Sequence, residues 1–548
     1  MAFLYENDNH IQTVIDRNTV DDEDIAQIIA HNVSEDYSEV LKKDSRWNVF
    51  YHLSALRESL FNWYDFKEKS ELLEIGGGFG ALTGLFSEKC GHVTVCEEIG
   101  LRAGAICGRY KKRDNIDVYE GKWEDVRKSI PDKRFDYIVL ADYLGGIAEG
   151  KMELAPYYMF IMELKRFLNK DGKILIVVNN SMGIKYLCGA PDDYTNMPFD
   201  SLNQYPKGSR GRTFTRQEMI KICDICRLYF KFYYPLADFR VAQMICTDKK
   251  MPLSTVKDRV IPYYTYKDSL LAVEKNFYED IIRSKMLHVF ANSFIIECSE
   301  TEDFCNIDSA VVSTDRGKQH GFVTAIYRDG IVKKNALGEA GREELRKICG
   351  NIRALEKRGI TIVPHNLNGS GITMPYIEEP TVLAYIQYLT EKADAASIET
   401  VIDDMWKSVL QSSDLTDKVN DKLQTYMEEV IDWGPILEKA YIDMIPLNSF
   451  WINGSVCYYD QEFVMEKYPA RYILFRILNY TYAFVGELDK ILSLEEMKIK
   501  YSLNELWPVF QRIEQQFVSE NRDYKLYQQF YKWAEIDPET IYQRNIYL

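Results

Sequence analysis

Apolar residues recur at three- and four-residue steps through DDEDIAQIIAHNV and WNVFYHLSALRESLFNWYDF, a spacing that predicts a helical cap over residues 1–65. From Glu71 the pattern changes. Short apolar runs, ELLEI, HVTVCE, FDYIVLAD and GKILIVVN, alternate with helical stretches, which is how a parallel sheet covered by helices reads along a chain. This α/β domain is expected over residues 66–250. Within it, GAPDDYTNMPFDSLNQYPKGSRGR is polar, turn-rich and longer than an ordinary connection, which marks a candidate substrate loop. Residues 251–300, with the tyrosine-rich VIPYYTYKDSLLAVEKNFYEDIIRSKML and then FANSFIIECSE, read as a connector. In the last domain, 301–548, FVTAIYRDGIVKKNAL predicts two strands joined by an Asp-Gly turn. The remainder is mostly helical, with one more strand-like pair around Trp451 to Phe463.

Length and composition narrow the classes. At 548 residues the chain exceeds one compact core, since a domain typically takes about 100 to 200 residues. With hydrophobic residues at 46% and charged residues at 27%, it has the makeup of a globular protein rather than a disordered or fibrous one. The formal net charge of -16 has the wrong sign for gripping a phosphate backbone, so no nucleic-acid partner is expected. The start, MAFLYENDNHIQTVIDRN, lacks the basic and apolar regions of a secretory signal, which predicts a cytoplasmic protein. No run approaches the roughly 20 apolar residues of a membrane span, so any membrane contact is expected to be peripheral, at the inner face. The CxxC pair Cys223 and Cys226 lies in an amphipathic helical pattern without a second pair nearby, and reads as core or surface thiols rather than a zinc site.

The chemistry begins at ELLEIGGGFGALTGLF, where Glu74, Gly76, Gly78 and Gly80 form E-x-G-x-G-x-G between a strand and a helix. A tight strand-to-helix turn needs positive φ or close backbone approach, and the following helix offers free N–H groups to a ligand. The next strand ends in Glu97, about 20 residues on, where a carboxylate can accept both hydroxyls of a ribose; Glu98 is the fallback. The run resembles motif I of class I S-adenosylmethionine methyltransferases, and the resemblance covers about residues 65–250. It implies a Rossmann-like fold in which Glu74 and the glycine backbone hold the amino-acid end of S-adenosylmethionine and Glu97 the ribose. DVYEGKWEDV falls where the family reads adenine, with Trp123 for apolar packing and Lys122 where many relatives carry an acid. FDYIVLADYLGGI resembles the strand and loop beside the methyl group, with Asp142 and Tyr143 facing the site.

Transfer to a hydroxyl gains from a general base. Asp142, Asp192 and Asp193 are the candidates, and His92 before a strand reads as a surface residue. NNSMGIKYLCGAPDDYTNMPFDSLNQYPKGSRGRTFTRQEM and FYYPLADF together resemble methyltransferases of bacterial surface-polysaccharide machinery. The same segment supplies Tyr186, Tyr194 and Tyr205 for stacking on sugar rings, and Arg210 and Arg212 for gripping phosphate or carboxylate.

In the last domain, AYIDMIPLNSFWINGSVCYYDQEF places Asp443 and Asn448 in D-x-x-x-x-N spacing, with Asp460 beyond a strand-turn-strand pattern. This resembles protein-kinase-like phosphotransferases and implies an α+β, two-lobed fold. Asp443 would address the acceptor, Asn448 and Asp460 would hold Mg²⁺, and Lys334, two residues after Val332, would meet the phosphates of ATP. MPYIEEPTVLAYI stands where the hinge meets adenine. The chain departs from the family at four places. Tyr441-Ile442 precedes the Asp, Asp460-Gln461-Glu462 stands at the metal-binding triplet, and the glycine-rich turn is reduced to STDRGKQHGF. Asn351 occupies the helix register of the lysine's partner Glu, with Glu343 and Glu344 a few turns earlier.

A methyltransferase followed by a kinase-like module is similar in architecture to bacterial O-antigen chain terminators. The expected function is methylation of a cell-surface glycan or glycan-phosphate precursor, with an ATP-dependent phosphotransferase-like C-terminal domain. The alternatives are a C-terminal domain that only docks polysaccharide-assembly enzymes, and a methyltransferase acting on a small-molecule acceptor.

Overall fold

The computed structural model describes residues 3–5, 20–149, 151–252, 256, 260, 269–313, 316–317, 319–369, 371–426 and 432–521. The chain divides into two compact units, one running to residue 314 and the other starting at residue 315.

The first unit is built on strands β1 (Phe3–Tyr5), β2 (Glu71–Ile75), β3 (His92–Glu97), β4 (Ile116–Glu120), β5 (Phe135–Ala141), β6 (Leu168–Asn179), β7 (Tyr229–Leu236), β8 (Met244–Thr247), β9 (Ser293–Ser299) and β10 (Ile307–Val312). Their order is β1-β4-β3-β2-β5-β6-β9-β7-β8-β10. β1 to β6 pair in parallel, and β9 runs antiparallel to both β6 and β7. The apolar runs form strands because both of their faces are covered: Leu73, Ile138, Leu140, Ile174 and Ile176 are fully buried against one helical layer. The chain goes from β2 outward to β3 and β4, then returns to β5 and β6 on the other side. A crevice therefore opens beyond the carboxyl ends of β2 and β5, the usual place for a ligand in an open α/β sheet.

The N-terminal cap is helical where described, with helices Val20–His31 and Trp47–Leu53 and a 3₁₀ turn Ala55–Leu60. It also supplies β1, which extends the sheet beside β4 and stacks Tyr5 on Tyr119 at 4.3 Å. Three residues are too few to show an alternation.

The expected connector over residues 251–300 is corrected: its last part is β9, inserted between β6 and β7 in the middle of the sheet. β9 carries the fully buried Glu297, which accepts from Tyr64 Oη at 2.8 Å, Tyr233 Oη at 2.6 Å and the Cys305 N–H at 2.9 Å, and pairs with Lys173 at 2.9 Å. A buried carboxylate satisfied from four directions ties the strand to its neighbours, and removing one partner leaves charge uncompensated. The tyrosines at 263, 264 and 266 lie outside the described residues. Cys223 and Cys226 are buried, and Cys223 Sγ lies 3.5 Å from Cys298 Sγ.

In the second unit, strands β11 (Phe322–Tyr327), β12 (Ile331–Ala336), β13 (Asn366–Asn368) and β14 (Gly371–Pro375) form an antiparallel arrangement ordered β11-β12-β14-β13. The Asp329-Gly330 turn joins β11 to β12, with Gly330 at φ +80°. Helix Glu339–Lys357 packs Leu345, Ile348, Cys349 and Ile352 against Phe322 and Ile372. A larger helical part follows, with helices Val382–Glu391, Ala395–Gln411, Ala470–Phe484 and Trp507–Asn521 around one core. The strand-like pair around Trp451 is a hairpin, Ser449–Ile452 with Ser455–Tyr458. A second antiparallel pair, Ile436–Tyr441 with Val464–Pro469, brackets it and brings residues 441–443 next to residues 460–464.

Candidate functional site

The glycine run leaves β2 with Gly76, Gly78 and Gly80 at φ of +81°, +57° and +76°. A Cβ at Gly76 would stand 2.6 Å from Tyr143 Cδ2, and one at Gly80 would stand 2.9 Å from Tyr110 Cε2. The loop is thus pressed between two aromatic rings that only glycine admits. Glu97, buried at the end of β3, accepts the Gly78 N–H at 2.7 Å on one oxygen and the Ile99 N–H at 3.0 Å on the other. Burial raises its pKa, the Ile99 N–H opposing. Glu74, also buried, accepts from Thr83 Oγ1 at 2.6 Å, and burial pushes its carboxyl up to about 8.

Beyond β5, Asp142 takes φ +59° and turns toward the cleft, with Asn179 Nδ2 at 3.4 Å. Burial pushes Asp142 up to about 6, Arg240 opposing. Around it lies a charge-paired cluster. Lys185 Nζ reaches Asn179 Oδ1 at 2.9 Å, Asp193 at 3.1 Å and Asp238 at 3.4 Å, while Arg240 binds Asp238 at 2.6 Å and Asp193 at 2.7 Å. Burial works against ionising Asp193, but Arg240 and then Lys185 outweigh it and hold that carboxyl well below the usual range. Asp192 is spent on the loop, accepting the Tyr194 and Thr195 N–H groups and Tyr205 Oη. Of the three candidate bases, only Asp142 has neither a cation in direct contact nor backbone donors on its carboxylate. Tyr194 lies on Gly145 and Gly211, where added Cβ atoms would strike its ring, and so sits beside Asp142.

Two expectations for this unit change. Trp123 is 1% exposed and packs edge-on against Phe167 at 4.9 Å, so it belongs to the core and not to an adenine wall. Arg212, 2% exposed, donates to Thr213 O and Met152 O and pairs with Glu218, the acid of the Thr215–Glu218 capping box that starts helix Arg216–Ile225. It anchors the loop and has no free face for an anion. Arg210 is exposed on the loop. The residues sequence reasoning missed are His52, Tyr51, Arg57, Lys185, Asp238 and Arg240. Arg57 donates to Phe239 O, Arg240 O and Tyr51 Oη, fastening the N-terminal segment to the acceptor side.

In the second unit Lys334, on β12, donates to Asp460 Oδ1 at 2.6 Å and lies 3.6 Å from Glu462. Glu462 also meets His320 Nδ1 at 2.5 Å and Arg316 at 3.2 Å; burial would raise its pKa, but the His320 bond, Lys334 and Arg316 hold it down at about 2. Asn351 donates to Gln461 O at 3.0 Å, and Glu344 pairs with Lys347 rather than Lys334. Asp460 and Glu462, rather than an acid of helix Glu339–Lys357, are therefore the carboxylates beside Lys334.

Asp443 corrects its expected role. It is 6% exposed, with one oxygen accepting the Glu462 and Phe463 N–H groups at 3.0 and 2.8 Å and the other 3.4 Å from Arg476. Burial pushes it up to about 6. Asn448 lies near Asp460, its carbonyl accepting the Tyr459 N–H at 3.0 Å. Among the described residues no group of three or more His, Cys, Asp or Glu could hold a metal ion, and Asp460 is engaged by Lys334. No helix among the described residues is long and apolar enough to cross a membrane.

Residues 56–190 match the family model of the methyltransferase small domain. The comparison with curated proteins returned no match. Among solved structures, the chain is similar to an O-methyltransferase family 2 protein from Planctomyces limnophilus in complex with apigenin, at 13% identity and a TM-score of 0.26. That match covers 45% of this chain and 57% of the other, little over half its length. A SAM-dependent methyltransferase from Archaeoglobus fulgidus is 16% identical over 45% of this chain and 94% of its own, with a TM-score of 0.29. A putative methyltransferase from Bacillus halodurans is 15% identical over 44% and 98%, with a TM-score of 0.25. The functional assignment rests on the family model together with the glycine loop and Glu97. Residues 56–190 of the first unit match a methyltransferase small domain, and the glycine loop and Glu97 fit S-adenosylmethionine as its cofactor. The glycine loop leaves backbone where a side chain would collide, and a buried carboxylate stands at the end of β3 to accept hydroxyls.

Proposed function

We propose that this protein methylates a hydroxyl group of a cell-surface glycan precursor, with Asp142 as the general base. The observation that carries the reading is Asp142 itself: a carboxylate at the cleft end of β5, raised to about 6 by burial and ionised at neutral pH, with one weak hydrogen bond. S-adenosylmethionine supplies a methyl group on a sulfonium whose departure as a thioether drives an in-line displacement. The chain's own part is to align and to exclude water. Gly78 and Glu97 fix the ribose side, Tyr143 lies against the glycine loop at Gly76, Tyr194 walls the acceptor side, and Asp142 takes the hydroxyl proton on its carboxylate.

Tyr194 offers the kind of face on which sugar rings stack, which supports a glycan over a small apolar metabolite. Lys185 and Arg240 are already matched by Asp193 and Asp238, and Arg212 by Glu218, which supports an uncharged acceptor group over a phosphate at the reacting position. For the second unit we favour a docking role toward polysaccharide-assembly enzymes over phosphotransfer from ATP. The specific reason is Asp443, which is enclosed by backbone N–H groups and Arg476 where an acceptor base needs an open cleft. The test is incubation of the full chain with labelled S-adenosylmethionine, ATP and envelope glycan precursors, read by mass spectrometry. A methylated glycan without added phosphate supports the reading. Methyl transfer only to a small metabolite overturns the acceptor, and phosphate transfer abolished in Asp460→Ala overturns the docking role.

A further inference from the structure

The helix Trp47–Leu53 brings His52 to the glycine loop from outside the α/β core. Its ring is the nearest group to the outward side of Gly78: a Cβ built there would lie 3.7 Å from His52 Cε1 and 3.8 Å from Nδ1. The ring is held edge-on against Phe79 at 5.0 Å and against Tyr51 at 5.0 Å. Arg109 clips the two segments together, donating to His52 O at 2.9 Å and to Phe79 O at 3.0 Å. Neither ring nitrogen meets a hydrogen-bond partner among the described residues. The imidazole is thus placed tightly, with its polar atoms unspent, over the one glycine of the loop whose outward side no other group crowds.

The charges around it set the kind of ligand atom it suits. Arg102, Arg57 and Arg109 lie close enough to act on His52 electrostatically. Arg109 is turned to backbone carbonyls, and Arg102 is paired with Asp22 at 2.8 Å. Their field still favours negative charge beside the ring. Burial, then Arg102, lowers the His52 pKa to about 3, so the ring is neutral in ordinary buffers and one nitrogen carries a proton to donate. Glu97, on the other side of Gly78, is an acceptor suited to hydroxyls.

The geometry points to His52 as the residue that receives the α-carboxylate of the cofactor's amino-acid end, donating a ring N–H to it. The inference rests on the S-adenosylmethionine reading of the glycine loop and adds a contact from outside the α/β core. It makes the N-terminal segment part of the binding site rather than a cover over it.

The experiment is calorimetric titration of the full chain with two probes: S-adenosylhomocysteine, which has the amino-acid end, and 5′-methylthioadenosine, which lacks it. His52→Phe keeps the ring contacts and removes the donor. It should weaken S-adenosylhomocysteine by about tenfold or more, the scale of a hydrogen bond to a charged group, and leave 5′-methylthioadenosine unchanged. His52→Gln restores a donor and should stay within about threefold of the wild type. Melting curves separate loss of contact from loss of fold. Unchanged S-adenosylhomocysteine affinity in His52→Phe, or an equal loss for both probes, overturns the inference while leaving the cofactor reading intact. No binding of either probe to the wild type overturns the cofactor reading and the inference with it.

Discussion

Both units bury carboxylates at their candidate sites, and Glu462 of the second is treated in the opposite way to Glu74, Glu97 and Asp142 of the first. In the first, Glu74, Glu97 and Asp142 are taken out of water with hydroxyl, backbone or amide partners, and their pKa values rise. In the second, Glu462 is buried as deeply, but Lys334, His320 and Arg316 converge on it and its pKa falls to about 2. Desolvation acts alike on both; the difference is close contact, since His320, Arg316 and Lys334 lie within 3.6 Å of Glu462 while Arg240, Lys185 and Arg57 act on Asp142 from farther off. An under-compensated acid is poised to take a proton or a ligand's hydroxyl. A saturated one is a structural rivet, and a ligand at Lys334 would have to displace two carboxylates. Chemistry is therefore expected in the first unit and cohesion in the second.

The strongest way to break the first half of that contrast is Gly76→Val. A branched side chain at φ +81° would have to occupy space 2.6 Å from Tyr143, and S-adenosylhomocysteine affinity should drop by about a hundredfold or more in a calorimetric titration. Next comes Asp142→Asn, which removes the base and keeps the shape. Methyl transfer should slow by about 10²- to 10⁴-fold, with S-adenosylhomocysteine binding unchanged. The wild-type rate should be full above about pH 6 and decline as the pH falls through that value, because the carboxylate acts only when ionised. A flat profile would take the base role from Asp142.

Glu462→Gln sharpens the second half. It removes the acid bonded to His320 Nδ1 and one charge partner each of Arg316 and Lys334, which keeps Asp460, and should cost about 3 to 5 kcal/mol in urea unfolding of the second unit. Because the folded pKa is depressed, the stabilisation from Glu462 is present above its ordinary value of 4.5 and is lost as the pH falls toward about 2. The variant should therefore lose more of its difference from wild type the further the pH drops. The smallest effect contrasts two arginines of one loop. Arg212→Ala should destabilise the first unit by about 1 to 3 kcal/mol, through the lost bonds to Met152 O, Thr213 O and Glu218. Exposed Arg210→Ala should stay within about 0.5 kcal/mol.

The alternation of apolar runs with helical stretches from Glu71, the strand-to-helix turn at Gly76 to Gly80 and the acid at the end of the next strand are determined by the sequence alone. Each depends on neighbours within a few residues, or on a repeat that a parallel sheet imposes. The Asp-Gly hairpin at Asp329-Gly330 is legible for the same reason. Three residues of β1 carry no pattern, and the segment of β9 reads as a connector because nothing local says that a strand far along the chain will insert between β6 and β7.

The site divides in the same way. Glu74, Gly76, Gly78 and Glu97 could be named from spacing. His52, Lys185, Asp238 and Arg240 could not, since each is an ordinary residue until the fold brings it within reach of the cleft. Arg212 had one usable signal, the Thr215-x-x-Glu218 capping box just after it, which gives a nearby arginine an acid to satisfy. Trp123 and Asp443 show what only the tertiary structure decides. A residue type announces what chemistry it can do, but burial and the partners that surround it decide whether it does that chemistry or holds the molecule together, and those come from segments the chain does not place side by side.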